Sequence, residues 1–164
     1  MSLNVSAIRV MLGLAAALFV PAMAGAAPPS LVGSWQFTLV PTTPPIPSIP
    51  VPGLATFTSD GTVVETNALE VVPGSTPTFS TPGHGIWQPG PAVPTLFVQF
   101  ISVVANANGS LNAKNNTTMT LMLNAAGTQF KGGYTTVRVD PTGKTIQTIS
   151  GTVSGQIIPH PLLP

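Results

Sequence analysis

Two side chains in this chain are placed where they could do chemistry, His84 and Glu65. His84 stands between Gly83 and Gly85, with Trp87 three positions on, in the stretch TPGHGIWQPG. Flanking glycines leave room for a ligand or another backbone to approach the imidazole. On an extended segment His84 and Ile86 share one face, and Gly85 and Trp87 the other. Facing a lumen, His84 would hold a ligand's polar group or move a proton near neutral pH. On an outer face or a rim it would only bond to backbone. Glu65 shares a face with Val63 and Asn67, so it is either the one interior acid of the chain or a solvent-facing strand residue. Asp60 and Asp140 fall in turn sequences, where aspartate is expected for its bond to nearby backbone.

Other chemistries lack their residues. A zinc site needs three or four convergent ligands, and the chain offers His84, His160, no cysteine and four scattered carboxylates. No metal and no cofactor is expected; a haem would rest on a single histidine. No G-x-S-x-G is present to form a nucleophile elbow. The glycine-rich pieces precede no helix, so they are not phosphate cradles. The Asn-x-Ser/Thr matches at Asn108, Asn115 and Asn116 follow from a composition rich in those residues. Beyond Arg9, the cations Lys114, Lys131, Arg138 and Lys144 balance Asp60, Glu65, Glu70 and Asp140. With net charge near zero and no basic cluster, nucleic acid is excluded as a partner.

The elements that must position these residues are strands. Met1 to about Ala26 reads as a secretory signal peptide: Arg9 supplies a positive start, Val10–Val20 an apolar run too short to span a bilayer, and small residues a cleavage site. The protein is therefore expected to be exported, to the periplasm or outside. An exported chain without cysteine fits a bacterial context and folds without disulfides. Residues 27–164 have the length of one domain with a sizeable core. The stretch Leu31–Val40 alternates, with Trp35, Phe37 and Leu39 on one face, and opens a series of period-two segments. These are Leu54–Thr58, Thr62–Asn67, Gly83–Gln88, Thr95–Ala105, Asn116–Asn124, Gln129–Asp140 and Thr145–Ile158. Thr95–Ala105 is apolar on both faces and is expected to be the most buried. Pro41–Pro52, half proline, reads as a stiff extended connector, Ala68–Pro82 as a loop and 159–164 as a tail. Eight antiparallel strands joined mainly by hairpins close most economically into an up-and-down barrel, which removes both edges. The fold class is all-β, one domain, with no transmembrane segment after the signal peptide. Only 5% of residues are charged, against ~25% in ordinary soluble domains, which leaves little repulsion against self-association.

Gly33-Ser34-Trp35 resembles the G-x-W that opens lipocalin-like (calycin-type) barrels, and the resemblance implies an indole plugging the closed end. It also implies that Arg138, in the penultimate strand, could cover that indole. The chain lacks the T-D-Y turn and the final helix of lipocalins. TFTSDGTVVET, GHGIWQPGP and FKGGYTT…DPTGK…SGTVSG, in this order, resemble small exported bacterial proteins of unassigned function, a likeness that brings no activity with it.

Three functions fit. The first is a carrier that binds a small apolar molecule in the barrel lumen, with His84, Trp87, Tyr134, Phe57 and Glu65 as ligand-binding residues and the lumen opening near His84 and Trp87. The second is a small-barrel isomerase or cyclase using His84 or Glu65 for proton transfer. The third is a surface or structural protein whose barrel is filled by side chains.

Overall fold

The structure, a computed structural model, describes residues 30–43, 49–68, 78–92 and 94–159. The expected signal peptide, Glu70, His160 and most of the expected tail lie outside the described residues. No helix is found among them, and none is long and apolar enough to cross a membrane. The chain forms β1 (Gly33–Pro41), β2 (Val51–Phe57), β3 (Thr62–Asn67), β4 (Thr78–Ser80), β5 (Gly83–Pro89), β6 (Thr95–Asn106), β7 (Leu111–Leu123), β8 (Gln129–Val139) and β9 (Thr145–Ile157). All pairings are antiparallel: β1 bonds to both β2 and β9, and β6 to β7, which closes the sheet on itself. Eight strands make the wall. The extra strand, β4, lies end to end with β5 along the same edge of β6.

The expected eight-stranded, up-and-down, all-β barrel is what forms, with three local corrections. A short strand interrupts the connection 68–82, because Phe79 and its neighbours find the free upper edge of β6. The proline-rich connector is shorter than its composition indicates. Pro41 closes β1 opposite Gly151, and Pro52 lies within β2 with its carbonyl accepting from the Ala68 N–H at 2.8 Å. A proline is tolerated in a ladder wherever only its carbonyl is needed. Finally, β6 is not buried on both faces: Phe97 is 37% and Ile101 46% exposed. A single-layered barrel wall has one interior, so alternate residues face out whatever their type.

Residue pairing runs Gly33, Phe57, Val63, Gly85, Phe100, Thr117, Thr136, Ile149 around the wall. Because Pro41 faces Gly151, Ile149 stands level with Thr43, ten residues beyond the start of the circuit. Such a stagger tilts the strands by about 35–45° to the barrel axis. Tilt and coiling bring neighbouring strands close at the corners. A Cβ on Gly132 would collide with the Thr120 carbonyl, one on Gly85 with the Gln99 carbonyl and one on Gly151 with the Val40 carbonyl.

The interior at the β1 start is apolar and tightly filled. Trp35, Leu96, Leu121 and Val63 have no exposed surface, and Phe37, Phe57 and Phe130 join them in one cluster. The Trp35 ring lies 5.1 Å from that of Phe130, and its Nε1–H donates to the Leu31 carbonyl at 2.7 Å. The indole thus plugs this end, as the G-x-W opening implies. Arg138 does not cover it, lying toward the other end of β8.

Trp35→Ala should lower the free energy of unfolding by about 3–5 kcal/mol, read as a shift of the urea midpoint. Gly132→Ala should be clearly destabilising, whereas Gly133→Ala, one residue on and facing outward with nothing nearer than 3.7 Å, should be neutral or slightly stabilising.

Candidate functional site: the barrel interior above the aromatic plug

The five residues expected to bind a ligand do not come together. Phe57 and Trp87 belong to the plug: their rings meet edge to face with centroids 6.4 Å apart, and the Trp87 Nε1–H donates to the Thr58 carbonyl at 2.9 Å. They are committed to sealing that end. His84 points away from the lumen. It is exposed on the outer wall, paired across strands with Val64 and Ile101. The parity that turns Gly83 and Gly85 inward dictates this: their small size is needed inside the barrel, so the imidazole lies outside. The lumen therefore does not open at His84.

Glu65 and Tyr134 do face the interior. They stand on β3 and β8, opposite walls in the strand order, and both are buried. Glu65 is 3% exposed. Its Oε2 accepts from Asn67 Nδ2 at 3.2 Å, and the Gly83 backbone N–H also bonds the carboxylate. A side chain at position 83 would collide with Glu65 Oε1 and Phe100, so Gly83 is what makes room for the carboxyl. Burial raises its pKa to about 7, the desolvation outweighing the two donors. Its partners are an amide and a backbone N–H, not a cation. By contrast, Asp60 and Asp140 are surface turn residues held below the usual carboxylate range, first by the hydroxyls of Thr58 and Thr142.

Above Glu65 the interior changes character. Ser102 and Thr117 are buried polar residues, and Thr117 and Thr136 share a hydroxyl–hydroxyl bond of 2.8 Å. The inward-facing Val51, Asn67, Thr136, Arg138 and Ile149 are only half-buried. The interior is therefore fully packed at the Trp35 end and more accessible to solvent at the other. Arg138 donates from Nη2 to Asn112 Oδ1 at 2.7 Å. Its inward position follows from the alternation it shares with Phe130 and Tyr134. The role of Asn112 does not, since it depends on an irregular register.

Two clefts lie on the outer wall. The larger, a groove of about 1140 Å³, crosses the strands at Gln36, Thr38, Leu54, Met122, Lys131 and Gln156. The smaller, about 170 Å³, lies over Ile86, Phe97 and Thr118. Sequence alternation places these side chains on the outer face but does not show that the curved sheet makes a groove of them.

The raised pKa of Glu65 links stability to pH. The folded state holds its proton more tightly than the unfolded chain, so this stabilisation is complete below about pH 4.5 and is lost as pH rises through about 7. The loss should be on the order of 3 kcal/mol. Urea unfolding at pH 5 and pH 8 should show it, and Glu65→Gln should remove most of the difference.

Comparisons with known proteins find no matching family model, no matching curated protein and no matching solved structure.

Proposed function

We propose that this protein is an exported binding protein that takes a small, largely apolar molecule into the open half of its barrel. Glu65 is the polar handle and Tyr134, Phe100 and Ile149 form the walls. One observation carries the reading: a carboxyl group sits inside an apolar barrel with no cation beside it and a glycine cut to fit it. A carboxyl in such a place costs free energy unless something uses it. A fold does not need one at that point, since a buried acid replaced by an apolar group of similar volume is often no loss to stability.

The position of the plug supports the same half of the barrel. Trp35, Phe57, Trp87 and Phe130 fill the lower interior, which leaves the ligand the level of Glu65 and above. Export is supported by the charge pattern and apolar run of the first 26 residues. Proton transfer at Glu65, with the Tyr134 phenol on the opposite wall, would make the same pocket an enzyme, but the described residues offer no second carboxylate or imidazole facing the interior. The carrier reading is therefore preferred.

The test is fluorescence titration of the purified protein with a neutral aromatic alcohol, 9-anthracenemethanol. Wild type should bind it. Glu65→Gln should change the affinity about 2- to 10-fold, the value of one hydrogen bond, and Ile149→Trp should block the lumen. His84→Ala should bind like wild type. If Glu65→Gln and Ile149→Trp also bind like wild type while keeping their urea midpoints, the lumen is not the site. A filled, structural barrel then becomes the better reading.

A further inference from the structure

We infer that Arg138 holds the carboxylate of the bound molecule at the open mouth, so that the ligand class is an apolar monocarboxylate. This rests on the lumen-binding reading above and adds the chemistry of the ligand's polar end.

The starting point is an orphan. Arg138 Nε is buried and has no hydrogen-bond partner among the described residues, and the guanidinium's one acceptor is Asn112 Oδ1. Buried donors are rarely left unpaired, and a native exception calls for an explanation. A half-buried guanidinium whose Nε is shut off from solvent, with a single amide acceptor and no carboxylate, is short of both charge and hydrogen bonds. The described carboxylates do not supply them. Glu65 bonds Asn67 and Gly83, and Asp140, two residues beyond Arg138, is taken up by Thr142 and the Lys144 N–H within its own turn.

The wall around Arg138 is shaped for this side chain. Its cross-strand neighbours are Asn115 on β7 and Gln147 on β9, and Ser102 faces Asn115 from β6. All are neutral and polar. Both flanking strands carry an irregularity at this level. On β7 the register steps from Val104↔Ala113 to Ala105↔Leu111, leaving Asn112 as the extra residue. On β9 it steps from Arg138↔Gln147 to Val139↔Thr145, leaving Ile146. A bulge re-aims a side chain, and here it brings the Asn112 amide onto the guanidinium.

A relay then fixes that amide. Asn112 Nδ2 donates to Asn106 Oδ1 at 2.7 Å, and Asn106 Nδ2 to Ser110 Oγ at 2.9 Å. With its nitrogen committed there, Asn112 must present oxygen to Arg138, which pins one nitrogen of the fork and leaves Nε–H for another acceptor. A planar carboxylate suits the guanidinium fork. The next inward row, Phe100, Thr117, Thr136 and Ile149, lies one step deeper and would meet the ligand's apolar part.

The test compares two probes sharing one ring system, 9-anthracenecarboxylate and 9-anthracenemethanol, against the purified protein. Wild type should bind the carboxylate about 10- to 100-fold more tightly than the alcohol, the range for a charge-assisted pair. Arg138→Gln should abolish that preference while leaving the alcohol within about 2-fold. Arg138→Lys should keep part of it, since charge remains but the fork is lost. Wild type binding both probes equally overturns the inference without touching the lumen reading, and needs no variant that must fold. An unchanged preference in Arg138→Gln overturns it as well, with a water alone completing Nε. If neither probe binds, the lumen reading and this inference fall together.

Discussion

The rest of this structure depends on fitting aromatic rings into a closed barrel of fixed width. One cross-strand row reads Gly53, Phe37, Gly155, Phe130 through β2, β1, β9 and β8. A side chain on Gly53 would run into the Phe37 ring, and one on Gly155 into the Phe130 ring. Each phenylalanine lies over a glycine on the adjacent strand. Alternating large and absent side chains fills the cross-section without overpacking, which would otherwise cost as much as a cavity does. Trp35 against Phe130 continues the same packing, and with that end sealed the chemistry of the interior is left to the other half.

Glu65 follows from the same constraint. The circuit of pairings puts it in a row with Trp35, Ala55 and Gly83. It therefore lies at the boundary between the aromatic plug and the polar mouth, with small residues on both sides. Burial there raises its pKa to about 7, so the carboxyl changes charge near neutral pH. Neutral, it donates a hydrogen bond; ionised, it accepts one. The interior thus has a carboxyl group in its middle whose charge the surroundings set, and a fixed cation at its rim.

Much of the wall was legible in the sequence because a strand's side chains alternate with a period of two. Trp35, Phe37 and Leu39 facing in together, or Thr117, Met119, Leu121 and Leu123, needed no more than that rule. It also placed Phe130, Tyr134 and Arg138 on one side. What the rule leaves open is which side is the inside. For GHGIWQ, with glycines on one face and His84 and Ile86 on the other, chemistry and packing point opposite ways. Packing wins, since Gly83 and Gly85 are needed beside Glu65 and the β6 backbone. The first half of β7 was missed because Leu111–Asn115 has no alternation, its register being broken at Asn112. A bulge adds one residue to one strand, and no local composition marks it.

The two ends of the barrel differ in how much the chain has invested in closing them. At the Trp35 end, β2 and β3 meet in a tight turn with Gly61 at φ +86° and its Thr58 hydroxyl bonded to Asp60. The β7–β8 turn has Gly127 at φ +67°, with Asn124 Oδ1 accepting from Thr128 N at 2.8 Å. These connections hug the plug. The longest connections, 42–50 and 68–77, leave from the opposite end, where both register irregularities and the half-buried polar side chains are also found. Outside, the walls of β1, β9 and β7 carry rows such as Gln36 beside Gln156 and Thr118 beside Thr135. On β2, β3, β5 and β6 the outer face instead carries Leu54, Val64, Ile86, Phe97 and Ile101, each more than a third exposed. The outer wall is thus mostly polar along one half of the strand circuit and largely apolar along the other, while the interior runs from the apolar plug to the polar side chains near Arg138.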